Sequence, residues 1–300
     1  MAGGVMAGEA MAGGAMARIE LWNWRSWPGL RPRGPVVPVV RLSGVIGGAP
    51  LRGLGLSLAG LNPALERAFK VRGARAVALA INSPGGSPVQ SALIAGRIRA
   101  LAGEKKLPVI AFIEDVGASG GYWLALAADE IFAAASSIIG SIGVVHASFG
   151  FAGVLDRLGI ERRLHTAGAK KSLLDPFRPQ DPEDVDRLMA IMGEIHGDFK
   201  GMVRERRGAR LSAPDADLFE GQIWTGRKAL ELGLIDGLGD VHGTLKERFG
   251  DKLKLPQIGA ARPWWRRRLN VRPGEATARA VVDGALDAIV ERVLWARYGL

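Results

Sequence analysis

The sequence GASGGY at residues 117–122 joins two stretches of different character. It follows PVIAFIED (108–115), which is apolar and β-branched, and precedes WLALAAD (123–129), which is rich in alanine and leucine. This order predicts a strand that runs through a glycine-rich turn into a helix. Ser119 on that turn would present its hydroxyl at a sheet edge and its amide at a helix N-terminus, as a nucleophile beside an oxyanion site requires. A plain N-cap serine fits the same stretch equally well.

The same order of strand, glycine loop and helix occurs once more, upstream of this turn. RAVALAI (75–81) is continuously apolar and predicts a strand buried on both faces. NSPGGS (82–87) follows as a loop with consecutive exposed amides, and residues 89–101 predict a helix. Two such units imply a parallel sheet with both glycine loops at its C-terminal edge, where open α/β sheets bind their ligands.

Periodicity and capping residues predict the remaining elements. They comprise strands over 36–46 and 162–167 and helices over 61–71, 181–207 and 226–233. Residues 131–155 contain no charged side chain and are long enough to suggest a membrane span. Their serines and glycines favour two short buried strands and the start of a helix instead.

The composition excludes several classes of protein. The 300 residues include no cysteine and only four histidines, without an H-E-x-x-H pattern, so neither a disulfide framework nor a metal site is expected. The net charge of +10 comes with arginines concentrated over 25–41 and 262–272. Because no nucleic-acid-binding signature accompanies them, they favour contact with a membrane surface over nucleic acid.

A serine nucleophile needs a base, and two residues qualify. His146 lies 27 positions after Ser119 (146 − 119), and Lys171 lies 52 positions after it (171 − 119). A lysine can act as base only where its surroundings allow the neutral amine to exist. The spacing alone does not choose between the two.

Five motifs in order carry a family resemblance: NSPGG (82–86), GASGGY (117–122), GSIGV (140–144), GAKK (168–171) and WTGRKALELGLID (224–236). Together they resemble the SppA family, the signal peptide peptidases of the Clp protease/crotonase fold superfamily. The resemblance covers residues 36–247. It implies an α/β, Clp protease/crotonase-like fold with repeated ββα units and a C-terminal helical extension.

The resemblance also implies a role for five residues. Ser119 matches the nucleophile of the family, and Lys171 matches the general base of its Ser-Lys dyad. Ser141 matches a hydroxyl that holds the lysine amine in place. The amides of Gly86 and Gly120 match the oxyanion hole. No cofactor is implied, and the expected substrates are extended apolar peptides such as remnant signal peptides.

The organisation that follows has four parts: a flexible tail (1–35), a peptidase domain (36–250), a Pro/Arg-rich linker (251–275) and an amphipathic helix (276–300). A chain with one catalytic domain is expected to form a homo-oligomeric ring, as short family members do. Since no signal peptide or clear membrane anchor is visible, the expectation is a cytoplasmic or peripherally membrane-associated bacterial protein.

Three other interpretations stay open at this point. The first is a Clp-type Ser-His-Asp peptidase with His146 as base. The second is a crotonase-type acyl-CoA enzyme, and the third is a non-catalytic ring scaffold at the membrane.

Overall fold

The computed structural model describes residues 34–47, 55–168 and 170–259, together with Arg292, Trp295, Ala296 and Tyr298. Seven strands form one sheet, in the order β1-β2-β3-β4-β7, with β5 pairing to β3 and β6 pairing to β5. Every pairing is parallel except that of β5 with β6. The strands are β1 (Val39–Ser43), β2 (Val77–Ser83), β3 (Val109–Ala118), β4 (Glu130–Ala133), β5 (Ile138–Gly140), β6 (Ile223–Thr225) and β7 (Gly237–Leu238).

Eight α-helices accompany these strands in the described part of the chain. They are α1 (Leu58–Phe69), α2 (Pro88–Lys105), α3 (Gly120–Ala125), α4 (Ala152–Leu158), α5 (Pro182–Arg207), α6 (Asp215–Leu218), α7 (Gly226–Glu231) and α8 (Val241–Phe249). Side-chain caps begin several of them. Ser57, Ser87 and Asp181 accept hydrogen bonds from amides in the first turns of α1, α2 and α5.

Helices cover both faces of the sheet. Strand β2 shows this directly, because its successive side chains point to opposite faces and pack into two different cores. Val77, Leu79 and Ile81 belong to the large core, which includes side chains of α1, α2, α3 and α5. Ala78 and Ala80 point the other way, into a smaller core that contains Leu245 of α8. Such a strand has no solvent face, which explains its continuous apolar sequence.

Strand β3 changes partner along its length. Ile110 to Ile113 pair with β4, whereas Val116 to Ala118 pair with β5. The second half of β3 therefore pairs with β5 in place of β4, and residue 119 follows it at the edge formed with β5.

The predicted α/β class and parallel sheet are confirmed. The strand predicted over 162–167 is wrong: residues 161–166 have no regular structure, because none of the described strands pairs with them. Residues 254–257, in the predicted linker, form bridges to Val36 and Val39. The tail (1–33) and the predicted C-terminal helix lie outside the described residues, apart from the four named above. No helix within the described residues is long and apolar enough to cross a membrane.

Candidate active site

Ser119 occupies a strained turn between β3 and α3. Its backbone has φ 52° and ψ −123°, a conformation that residues with a side chain rarely adopt. The Ser119 amide donates to the Gly140 carbonyl on β5 at 2.7 Å, which fixes the turn against the neighbouring strand. Its half-buried side chain makes no capping bond to α3, so the hydroxyl is not used as an ordinary N-cap. This geometry suits a nucleophile.

The glycine loop after β2 lies directly against this turn. A Cβ built on Gly85 would be 2.8 Å from the Ser119 Cβ and 2.9 Å from the Gly120 nitrogen. Gly85 also has φ +105°, so only glycine fits here without strain. The next residue, Gly86, is exposed and pairs with Ile46 on the other side of the loop.

Two backbone amides beside Ser119 are left free. Neither the Gly86 nor the Gly120 amide donates a hydrogen bond within the described residues. Gly120 is the first residue of α3, where amides have no intrahelical acceptor and the helix dipole is positive. Two such donors at one serine fit an oxyanion hole.

Ser141 lies next to the residue that holds the Ser119 amide. It too has a positive φ, 52°, and its amide donates to the Gln222 carbonyl at 2.6 Å. The antiparallel pairing of β5 with β6 brings Gln222 there. The turns that carry Ser119 and Gly120, Gly86, and Ser141 thus lie at one edge of the sheet.

Lys171 belongs to a different part of the molecule, residues 144–180, which we call the exposed segment. None of its described residues is buried, and it contains more than half of the large exposed apolar side chains, including Val145, Phe149 and Leu158. Lys171 is exposed, and no hydrogen bond or ion pair joins its side chain to any described residue. No described hydrogen bond joins Lys171 to Ser119.

The two neighbouring lysines have different surroundings. Lys170 forms an ion pair with Glu183 at the start of α5, and its hydrogen bond is the main reason that the pKa of Glu183 lies below its usual value. Glu183 also pairs with Arg187, one turn along the helix. Lys170 is therefore held by the helix, whereas Lys171 is available.

The exposed segment has a small ordered cluster of its own. Phe151 and Phe177 are 5.6 Å apart between ring centroids, and the Arg162 guanidinium lies 5.2 Å above the Phe177 ring. Arg162 also pairs with Asp175, and this hydrogen bond is the largest cause of a lowered pKa at that carboxyl. The loop that carries Lys171 is thus fixed at both ends, by this cluster and by α5.

His146, the other candidate base, also lies in the exposed segment. Its side chain is exposed, and no described hydrogen bond connects it to Ser119 or to a carboxylate. Within the described residues no group of histidine, aspartate and glutamate has the arrangement of a metal site.

Sequence reasoning missed the residues that support the site. Asn82 and Ser137 hydrogen-bond to β3 just before Ser119, and the carbonyls of Gly140 and Gln222 fix the two positive-φ serines. Asn82 and Gly140 lie in two of the five sequence motifs, but their hydrogen-bond partners are known only once the pairing of distant strands is known. Gln222 had no signal, since it comes 81 residues after Ser141 (222 − 141).

A strained serine between two free amides defines the type of site found in enzymes that form an acyl intermediate. Comparison with known proteins gives the class. Residues 102–251 match peptidase family S49, half of the 300-residue chain, and the chain belongs to that family.

Two of the individual relatives have names that agree with a peptidase family. A protein of Methanocaldococcus jannaschii described as a protease is 35% identical over 183 residues, covering 61% of this chain and 57% of its own length. A protein of Enterococcus faecium described as signal peptide peptidase SppA is 30% identical over 177 residues, covering 58% and 50%.

One relative has a different kind of name. A protein of Brucella abortus named Na(+)/H(+) antiporter NhaA is 52% identical over 274 residues, 88% of this chain, but the match covers only 37% of that protein. The chain therefore spans between about a third and somewhat more than half of these three relatives. The larger part of the Brucella protein lies outside the match, and its name describes that whole protein.

Proposed function

We propose that this protein is a serine endopeptidase in which Ser119 is the nucleophile and Lys171 the general base. The observation that carries the proposal is the strained Ser119 turn between the free amides of Gly86 and Gly120. Membership of peptidase family S49 supports peptide-bond hydrolysis as the reaction.

In the first step the neutral amine of Lys171 accepts the hydroxyl proton of Ser119 while Oγ bonds to the carbonyl carbon of the substrate. The electron pair of the C=O double bond moves to the oxygen, which becomes an oxyanion bound by the amides of Gly86 and Gly120. These donors stabilise the transition state because they are fixed before the charge develops.

In the second step Lys171 returns that proton to the leaving amine as the C–N bond breaks, which leaves an ester on Ser119. A water molecule then gives a proton to Lys171 as its oxygen bonds to the ester carbon, which forms a second oxyanion. As this oxyanion collapses, the C–Oγ bond breaks, Lys171 gives its proton to Oγ, and the peptide leaves as a carboxylic acid. The proposed role of Ser141 is to accept a hydrogen bond from the Lys171 amine and so direct it towards Ser119.

One feature favours Lys171 over its neighbour as base, and another suggests how Lys171 reaches a serine. Lys170 is paired with Glu183, whereas Lys171 has no hydrogen-bond or ion-pair partner among the described residues. The apolar side chains around it in the exposed segment also need a partner surface, because large exposed apolar patches mark interaction sites. We infer that assembly of several copies into a ring covers this segment and places Lys171 beside a Ser119.

The proposed substrates are extended, apolar peptides of the signal-peptide type. The glycine loop supports this, because Gly86 is exposed next to Ser119 and a substrate strand can pair with such a backbone edge. The name of the Enterococcus faecium relative, a signal peptide peptidase, agrees with this substrate class. Peripheral contact with a membrane, through the basic ends of the chain, remains part of the proposal.

Intact mass spectrometry with a serine-directed acylating probe tests the dyad. Wild type should gain one adduct per chain, at a rate that rises towards alkaline pH because lysine ordinarily titrates near pH ~10.4. Ser119→Ala should abolish the adduct and Lys171→Ala should slow it at least about 100-fold. His146→Ala is the matched control in the same segment and should label like wild type.

Other results would replace the proposal. Loss of labelling in His146→Ala but not in Lys171→Ala, with a rate that rises through pH ~6.5 and then levels off, would favour a Clp-type triad. Labelling that persists in Ser119→Ala would remove the nucleophile and leave a binding or scaffold role.

A further inference from the structure

The strand that carries Ser119 contains an irregularity just before it. β2 and β3 pair in register up to Ile81 opposite Ile113, and again at Ser83 opposite Gly117. One residue of β2, Asn82, therefore faces three residues of β3, Glu114, Asp115 and Val116. A bulge of this kind bends the strand and leaves ladder groups without backbone partners.

Side chains take the places of the missing backbone partners. Asn82 Oδ1 accepts from the Val116 amide at 3.1 Å, and Asn82 Nδ2 donates to Asp115 Oδ2 at 2.7 Å. On the opposite side of β3, the buried Ser137 hydroxyl lies 3.3 Å from the Ile113 carbonyl and also contacts that of Glu114. The bulge is thus closed by hydrogen bonds from both neighbours of β3.

Asn82 also lies near the end of β2, one residue before the last residue of the strand, Ser83, after which the glycine loop begins. Its carbonyl accepts from the Gly44 amide at 3.0 Å, and the next residue, Ser83, donates to the Gly44 carbonyl at 2.7 Å. The Ser83 hydroxyl then accepts from the Gly85 amide at 3.2 Å. The base of the glycine loop and the bulge before Ser119 therefore meet at one residue, Asn82, whose backbone carbonyl bonds to Gly44 and whose side chain bonds to the bulge.

We infer that Asn82 is a positioning residue, which sets the distance between the Ser119 hydroxyl and the Gly86 amide by tying β2 to the bulge of β3. This inference rests on the proposed function, because it takes Ser119 as the nucleophile. Asparagine suits the place since it offers an acceptor to the Val116 amide and a donor to the Asp115 carboxylate at once. A displacement of about 1 Å at such a site is worth on the order of 100-fold in rate.

A charge swap tests the inference in the full-length protein. Asn82→Asp keeps the acceptor for Val116 but places two carboxylates against each other. Asp115→Asn retains an acceptor for the Asn82 amide. The double variant Asn82→Asp/Asp115→Asn restores a hydrogen bond between the two side chains, in which residue 115 now donates and residue 82 accepts. Acylation by the same probe is followed by intact mass at several probe concentrations, with melting temperatures measured in parallel.

We expect Asn82→Asp to lower the maximal acylation rate about 10- to 100-fold with a nearly unchanged half-saturating probe concentration. Asp115→Asn should stay within about threefold of wild type, and the double variant should recover most of the loss, since residues in contact are not additive. Ser137→Ala, which opens the bulge from the other side, should also slow acylation.

Three results would overturn the inference. One is wild-type acylation by Asn82→Asp; the second is a double variant no faster than Asn82→Asp. The third is slower acylation that is due only to a higher half-saturating probe concentration, or that across the variants simply follows the fall in melting temperature. Failure of the proposed function would give a different result. Ser119→Ala would then still be labelled, whatever the labelling of the Asn82 variants.

Discussion

At the scale of single residues, the site depends on how closely two backbones approach. Gly85 and Ser119 follow two different strands, β2 and β3, yet a Cβ on Gly85 would lie 2.8 Å from the Ser119 Cβ, well inside van der Waals contact. The packing therefore permits no side chain at Gly85. This requirement is separate from the strain that any L-residue would suffer at φ +105°.

The substitution Gly85→Ala separates these two effects when it is compared with Gly73→Ala. Gly73 also has a positive φ, +77°, but a Cβ there would meet nothing within 4 Å. Both variants should lose about 1–3 kcal/mol of unfolding free energy through backbone strain. Only Gly85→Ala should also lose acylation, by about 100-fold or more, because the new methyl group displaces Ser119.

Urea unfolding and probe labelling measure the two quantities on the same samples. Equal labelling by Gly85→Ala and Gly73→Ala, at temperatures where both are folded, would show that the loop does not constrain Ser119.

The sequence predicted the residues gathered at the sheet edge but not what holds them there. Ser119, Gly86, Gly120 and Ser141 lie in motifs that can be read locally, as a turn with small neighbours. The supporting contacts of Asn82 with the β3 bulge join segments more than thirty residues apart (116 − 82 = 34). Such contacts depend on strand register, which no local pattern specifies.

At the scale of elements, helix α8 shows how one cap secures the second face of the sheet. Asp240 Oδ1 accepts from the amides of His242 at 2.8 Å and Gly243 at 3.0 Å, and so satisfies two donors of the first turn. α8 then places Leu245, which is fully buried, in the smaller core. The cap therefore supports packing against the sheet, beyond the helix itself.

The stability contributed by this cap should depend on pH. The bond from the Gly243 amide, partly opposed by burial, lowers the pKa of the Asp240 carboxyl in the folded protein. A lowered pKa means that the stabilisation is present above the unfolded value of about 3.9 and is lost as the pH falls through the folded value. At neutral pH Asp240→Ala should cost about 1 kcal/mol.

Unfolding free energies in urea, measured from neutral pH down to about pH 3, test this prediction. The gap between wild type and Asp240→Ala should narrow at the acidic end. Asp240→Asn keeps an oxygen acceptor that does not titrate, so its stability relative to wild type should improve as the pH falls. A gap that is constant with pH would assign the effect of Asp240 to packing alone.

Elements with a strong local signal, either a continuous apolar run or charged ends that suit a helix, were the easiest to predict from sequence. The apolar run at 75–81 corresponds to β2, and the acidic start and basic end of 181–207 correspond to α5. The strand predicted over 162–167 failed for a physical reason. A strand is stable only with a neighbour to pair with, and the described chain supplies none in the exposed segment.

At the scale of the whole molecule, the two halves of the proposed dyad differ in their surroundings. Ser119 is built into the sheet, with buried neighbours on α3, whereas Lys171 lies on a segment without a single buried residue among those described. Phe149, which is 81% exposed, shows how much apolar surface this segment leaves uncovered. If a second copy covers that surface, it also brings Lys171 of one chain towards Ser119 of another.

Mixing two inactive variants distinguishes this arrangement from closure within one chain. Ser119→Ala and Lys171→Ala each lack half of the dyad, so alone Ser119→Ala should not acylate and Lys171→Ala should do so at least about 100-fold more slowly than wild type. When the two are co-expressed in equal amounts and each site takes its serine and lysine from different chains, about one quarter of the sites (½ × ½) regain both residues. If both residues came from the same chain, no site would be restored.

An apolar-to-charged substitution then tests whether the exposed segment makes the contact. Phe149→Asp in both partners should abolish the restored labelling and lower the oligomeric state seen by sedimentation, because burying an unpaired carboxylate in the interface is unfavourable. Leu230→Asp, at a half-exposed apolar position on α7, is the matched control and should change neither. Restored labelling that survives Phe149→Asp would place the contact between copies elsewhere, and no restoration in any mixture would require the segment to close over its own Ser119.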